Sequence, residues 1–216
     1  MRFILFVEGH TEKGVIPEFL KRWLDPKLPK PVGIRTVRFD GWAELVKNSS
    51  TKADLYLRDG EVIAVIALLD LYGPTFYPGD ATTSEQRYEW AKPFLEGKVG
   101  RDNFFQFFAV HEVEAWLLSD PNIFPKDVRP AIEKLSSHPE SVNGQEPPAK
   151  HLDRIYKKAT KRRYKKVVHG KDLFGKLDPN AAYKKCPHLK KLLDAMLKLA
   201  TDAAKPTPTP QTEGAS

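Results

Sequence analysis

Apolar residues change their spacing several times along the chain. Arg2–Val7 is a short unbroken apolar run, Val32–Phe39 alternates, and Phe104–Val110 is rich in aromatics. Val62–Leu69 is unbroken and bounded by Asp59-Gly60 and Asp70, which predicts a central strand buried on both faces. Between these four predicted strands the spacing switches to three and four residues. Val15, Ile16, Phe19, Leu20, Trp23 and Leu24 follow the candidate cap Thr11; Trp42, Leu45, Val46 and Leu55 mark a helix over residues 42–57. Further helices are predicted over about Ser84–Glu96 and from Glu112 to the Asp120-Pro121 stop. Strands alternating with helices imply βαβ units, a parallel sheet and right-handed crossovers.

After Asp120 the pattern fragments. Prolines 121, 125, 130, 139, 147 and 148 punctuate short helical pieces, Val128–Leu135 and Lys150–Ala159 among them, before a final helix over Leu189–Ala200. From Lys205 onward nothing is available to bury. The expected organisation is an α/β core over residues 1–120, a basic and mostly helical part over 121–204 packed on it, and a disordered tail over 205–216.

Composition narrows this picture. With 216 residues, 41% of them hydrophobic, the chain can bury the core of one compact domain. Its single cysteine, Cys186, excludes an intramolecular disulfide framework and a four-cysteine zinc site, and fits a reducing compartment. The longest apolar runs are too short to span a bilayer, and Glu8 arrives too early for a signal segment. A cytoplasmic protein with no membrane partner is expected.

The net charge of +7 is unevenly placed. Residues 1–120 carry 15 Lys and Arg against 18 Asp and Glu, whereas residues 121–216 carry 20 against 10. The densest basic stretch holds Lys157, Lys158, Lys161, Arg162, Arg163, Lys165 and Lys166, interleaved with Tyr156 and Tyr164. An acidic half joined to a basic half suits a protein that handles DNA or RNA, the lysines meeting phosphates and the tyrosines either stacking on bases or anchoring helices.

In an open parallel sheet, functional groups collect beyond the C-terminal strand ends. Three of the predicted strands run straight into acids there: Glu8 after the first, Asp70 after the third, Glu112 and Glu114 after the fourth. Glu12 lies one helical turn beyond Glu8. Carboxylates gathered so closely repel unless protonated or bridged by cations, and oxygen-only ligation suits Mg²⁺ or Mn²⁺. No dinucleotide-binding glycine motif, P-loop or nucleophile elbow occurs. His10 and His111 have no third nitrogen or sulfur partner to make a zinc site.

These residues also carry a resemblance. Val7-Glu8-Gly9-His10-Thr11-Glu12, Asp70-Leu71-Tyr72-Gly73 and His111-Glu112-Val113-Glu114-Ala115-Trp116-Leu117-Leu118-Ser119-Asp120 resemble the DUF4276 family. So do Asn143-Gly144, Pro148-Ala149-Lys150, Tyr164 to Gly170 and Lys185-Cys186-Pro187-His188, all in the family's order. That family is grouped with TOPRIM-like nucleases of the OLD and RloB types. The resemblance implies a TOPRIM-like Rossmannoid core with Glu8, Asp70 and Glu114 as its acidic site residues; a metal held by these three is expected, with Glu12 and Glu112, from their positions, as alternative or supporting ligands. Tyr72 stands where a true TOPRIM domain has the second acid of Asp-x-Asp, and Pro148-Ala149-Lys150-His151 keeps the lysine but not the arginine of Pro-Ser-Lys-Arg.

The expected function is therefore metal-dependent hydrolysis of nucleic-acid phosphodiesters. The resemblance further implies an antiphage defence role beside a separate ABC/SMC-like ATPase; homo-oligomers are compatible with it. Lys150 and His169 are expected to reach the catalytic carboxylates from the C-terminal part, His169 from a tight loop. The alternative is a non-catalytic TOPRIM-like subunit that binds nucleic acid or regulates the ATPase.

Overall fold

The computed structural model describes residues 1–141 and 146–205. Strands β1 (Arg2–Val7), β2 (Gly33–Arg38), β3 (Val62–Asp70) and β4 (Phe104–Ala109) form one parallel sheet in the order β2-β1-β3-β4. Each strand end lies within one residue of its predicted position. In register, Val7 sits between Arg38 of β2 and Leu68 of β3, and Asp70 sits beside Ala109 of β4. Because β2 and β3 flank β1 on opposite sides, the connections leaving β1 and β3 diverge. They open a crevice at the C-terminal edge, where ligands of such sheets bind.

Strand alternation divides the core in two. Phe3, Leu5 and Val7 point to one face, where α1 (His10–Leu24) lies; Ile4 and Phe6 point to the other, covered by α2 (Trp42–Leu57) and α3 (Ser84–Val99). Thr83 and Gln86 close a reciprocal capping box at the start of α3, and Gly100 ends it in the left-handed conformation (φ +66°) that glycine adopts without steric cost.

The remaining helices are α4 (Glu114–Leu117), α5 (Arg129–Glu133), α6 (Pro148–Thr160), α7 (Lys166–Lys176), α8 (Pro179–Lys185) and α9 (Pro187–Ala203). They extend the α1 face, and their buried side chains, from Trp116 to Ala200, belong to the same apolar cluster as Phe3 and Phe19. Phe19 of α1 stacks on Trp116 at 5.8 Å, and Phe174 of α7 meets both rings edge-on at 5.7 and 6.4 Å. Each such fully buried large side chain contributes roughly 1.5–3 kcal/mol. Arg22 of α1 adds hydrogen bonds to the carbonyls of Phe174 and Gly175, so α7 is fastened along α1.

Two helices, α7 and α8, were not expected from the spacing, and α7 takes in His169 and Gly170, for which a loop was expected. The predicted tail beyond Lys205 and the Asn143-Gly144 pair lie outside the described residues. Among the described residues, no helix is long and apolar enough to cross a membrane.

Candidate active site

Five carboxylates gather at the crevice. β1 delivers Glu8, β3 ends on Asp70, the first turn of α1 supplies Glu12, and the segment after β4 supplies Glu112 and Glu114. Two are oriented by main-chain donors. The N–H of Asp70 donates to Glu8 Oε1 at 2.8 Å, and the N–H of Ala149, in the first turn of α6, donates to Glu112 Oε2 at 2.8 Å. Glu12 folds back over the chain that leads into its own helix. A Cβ at Gly9 would stand 2.1 Å from Glu12 Oε2, so glycine at this position is what lets the carboxylate settle there.

The centre of the cluster is an ammonium. Lys166 Nζ lies 3.1 Å from Glu114 Oε2, 3.6 Å from Glu12 Oε1, 3.9 Å from Asp70 Oδ2 and 4.0 Å from Glu112 Oε1. Lys166 opens α7, so the aromatic packing that seats α7 on α1 also aims this side chain into the crevice. Burial works against its charge. Glu114 foremost, then Asp70, Glu12 and Glu112, outweigh burial and hold the ammonium above the ordinary lysine pKa.

For the acids burial prevails instead. Glu114 is fully buried, and burial pushes its carboxyl up to about 7 against the pull of Lys166, with Glu112 adding to the rise. Asp70 is raised well above the usual carboxylate range, again by burial first, with Glu8, Glu12 and Glu114 contributing repulsion. Glu8 is raised by burial despite its main-chain donor.

A divalent cation fits this set chemically. The donors are all oxygen, which suits Mg²⁺ or Mn²⁺. Glu114 Oε1 is buried without a hydrogen-bond partner and Oε2 has only the ammonium of Lys166 beside it, so the carboxylate retains unused capacity for a cation. Among the described residues, no group of three His, Cys, Asp or Glu side chains is already arranged as a metal cage. The carboxylates are spaced around the lysine instead.

The C-terminal residues expected at the site divide differently from the expectation. Lys150 is exposed in the first turn of α6 and forms no ion pair among the described residues; its neighbour Ala149 makes the contact to the cluster through the main chain. His169 is one turn along α7 from Lys166. Its ring stacks on Tyr164 at 5.6 Å, lies 5.3 Å from Tyr156, and its Nδ1 accepts the N–H of Lys165 at 2.7 Å. Lys166, expected in the nucleic-acid-binding stretch, is instead the inward-turned cation.

The rest of that stretch behaves as a surface. Lys157, Lys158, Lys161, Arg162, Arg163 and Lys165 are exposed, although Arg163 is paired with Asp153 at 2.7 Å. Tyr156 and Tyr164 are buried and anchor α6 and α7, and Tyr156 also lines a cavity between those helices. Tyr164 lies close enough to Glu114 and Glu112 that their charges add to the effect of burial in raising its phenol pKa. Neither Gly9 nor Tyr164 was singled out as part of the carboxylate site. The short Glu8-Gly9 step before a helix was the only local sign for the first.

The family model described as "Domain of unknown function (DUF4276)" matches residues 7–197. Among solved structures, the C-terminal region of the Burkholderia pseudomallei OLD protein is 17% identical at a TM-score of 0.48, over 92% of this chain and 98% of that one. The C-terminal region of the Xanthomonas campestris pv. campestris OLD protein is 13% identical at a TM-score of 0.47, over 94% and 95%. No curated protein sequence matches.

Proposed function

The chain belongs to the DUF4276 family, and from that premise we propose that it is a TOPRIM-like, metal-dependent nuclease hydrolysing phosphodiester bonds of DNA or RNA. One observation carries the reading: four carboxylates, Glu12, Asp70, Glu112 and Glu114, surround one ammonium in the sheet's ligand crevice, with Glu8 tied to the Asp70 main chain and an exposed basic stretch nearby.

Glu8, Asp70 and Glu114 would hold the divalent cation, with Glu12 and Glu112 in support. When bound, Mg²⁺ or Mn²⁺ supplies polarisation of the phosphate and a more acidic water. The chain's own groups do the positioning. Main-chain donors fix Glu8 and Glu112, so part of the cluster is oriented before substrate arrives. Lys166 neutralises charge on the phosphate oxygens as it builds up, from a partly buried place where an ammonium acts more strongly than in water. The exposed Lys157, Lys158, Lys161, Arg162 and Lys165 grip flanking phosphates in a salt-dependent way.

The test is incubation of the pure protein with plasmid, single-stranded DNA and RNA, with Mg²⁺ or Mn²⁺ and with EDTA, in the presence and absence of a candidate ABC/SMC-like ATPase. Cleavage that EDTA stops, and that Asp70→Asn or Lys166→Ala lowers about 10²–10³-fold, is expected. No cleavage under any condition, with nucleic-acid binding intact, would favour the second reading, a non-catalytic binding subunit. That reading has an observation of its own: Tyr72, two residues after Asp70, is half-exposed and offers no carboxylate.

A further inference from the structure

A cavity of about 720 Å³ opens between α6 and α7, on the side of α7 reached one turn beyond Lys166. Its floor is apolar and buried, made by Phe124, Tyr156 and Leu173. The half-buried ring of His169 forms a wall, and the exposed Lys161 and Arg162 form a rim. Such a volume lies within the roughly 300–1,000 Å³ of small-molecule sites, which combine an apolar lining with a few polar groups in the same way.

The rim is shaped to hold an anion. Lys161 caps α6 in the left-handed conformation (φ +61°), and the turn after it is closed by Thr160 Oγ1, which accepts the N–H of Arg162 at 3.3 Å. Neither Lys161 nor Arg162 forms an ion pair among the described residues; of the two acids on the lining, Asp172 is neutralised by Lys176 at 2.7 Å and Asp127 forms no ion pair there either. The wall is suited to a heterocycle. His169 Nδ1 is occupied as an acceptor, which in the neutral ring leaves the proton on Nε2 as a donor. Its ring continues the aromatic lining begun by Tyr156, a surface of the kind against which bases pack.

Position links the cavity to the carboxylates. His169 stacks on Tyr164, and the charges of Glu114 and Glu112 act directly on Tyr164. Lys166 and His169 are separated by about 4.5 Å of helix rise. The cavity and the carboxylate cluster are thus served by successive turns of the same helix.

We propose that the α6–α7 cavity is a nucleotide subsite: it takes one unpaired base of the nucleic-acid strand against Phe124, Tyr156 and His169, with the adjoining phosphate on Lys161 and Arg162. The assignment rests on the nuclease reading for its strand and on the cavity's own chemistry for its nucleotide. The site would favour single-stranded or locally opened substrates, because a base inside a duplex cannot enter it.

The experiment uses the ¹⁵N-labelled full chain, followed by NMR while thymidine 5′-monophosphate, adenosine 5′-monophosphate, ribose 5-phosphate and inorganic phosphate are added separately. The two nucleotides should shift the amides of residues 160–162 and 169–173, about 10-fold more tightly than the two probes without a base. Ala159→Trp, which fills the cavity from its α6 wall, should abolish those shifts. Arg162→Glu should weaken them without filling the cavity, which guards against a variant that fails to fold. In a short single-stranded oligonucleotide, removing the base at one position should cost about 10-fold in affinity and removal at the others much less.

Equal responses to nucleotides and inorganic phosphate would overturn the base site. Shifts indifferent to Ala159→Trp would overturn the cavity as their origin. Tight mononucleotide binding without positional dependence in the oligonucleotide would overturn the strand assignment and leave a free nucleotide as the ligand. Nucleotide shifts without any cleavage would refute the nuclease reading and leave the cavity standing. Cleavage without the shifts would do the reverse.

Discussion

On the α1 face of the sheet, apolar packing continues outward through α1 into α4, α7 and α9, and one cluster joins Phe3 to Ala200. On the opposite face a single layer, α2 and α3, covers the strands, and its outer side chains Leu55 and Phe94 reach solvent at 62% and 44% exposure. The deep face carries chemistry because its outer layer returns to the strand ends: α7 brings Lys166 and α6 brings the Ala149 N–H. The shallow face mainly completes the hydrophobic core. Damage to the two faces should therefore have different consequences even where the loss of stability is similar.

The largest effect expected from this contrast is on catalysis. Phe174→Ala and Leu95→Ala each remove a buried side chain from one face and should cost about 3–5 and 2–5 kcal/mol, measured by urea unfolding. Under conditions where both remain folded, Phe174→Ala should also lower cleavage well beyond Leu95→Ala, because it loosens the helix that carries Lys166. Equal activity in the two variants would break the contrast.

A comparison of neighbouring lysines sharpens it. Lys165→Met removes an exposed charge, and surface changes of that kind usually fall within about 0.5 kcal/mol. Lys166→Met leaves the carboxylates without their internal cation. Its melting temperature should fall further, and added Mg²⁺ should restore more of it than in the wild type. If Mg²⁺ stabilised both proteins equally, Lys166 would not be the group that balances the cluster.

Smaller and more local is the effect of Gly9→Ala. The new methyl meets only the flexible end of Glu12, so the fold should survive. The Glu12 carboxylate must leave its place, and Mn²⁺ affinity measured by calorimetry should drop several-fold. An unchanged affinity would remove Glu12 from the ligand set.

Two opposed pH slopes probe the buried groups themselves. Glu114 holds its proton up to about 7 in the folded protein against an ordinary 4.5, so its contribution to stability is full below pH 4.5 and is lost as pH rises toward 7. His111 is pushed down to about 4 from 6.5, by burial first and then by Arg87 and His188. Its contribution is full above pH 6.5 and is lost as pH falls toward 4. Metal-free Glu114→Gln should flatten the first slope and His111→Gln the second, in denaturation midpoints measured across pH 4–7.

The two faces were also unequally legible. The strands and the helices between them could be read because unbroken apolar runs meet Gly, Asp or Pro at both ends, and the acids at their C-terminal ends follow from strand position alone. α7 could not. Lys166-Val167-Val168-His169-Gly170-Lys171 contains two exposed valines and a glycine, and the helix is held by Phe174 against Phe19 and Trp116, a contact 155 residues distant in the chain for Phe19 and invisible to local spacing. Lys166 was misplaced for the same reason. Within a run of cations, composition cannot say which one turns inward; the seating of the helix decides it.

Glu8 and Glu112 each take a hydrogen bond from the peptide backbone rather than from another side chain. Their posture is thus a property of the chain's path, and the donating N–H is common to every residue but proline. The side chains at positions 70 and 149 can be exchanged without removing either tether, and only proline, which lacks the N–H, would cut it. The carboxylate geometry is therefore insulated from sequence drift at its own supports, and the crevice can change its chemistry one side chain at a time without losing its frame.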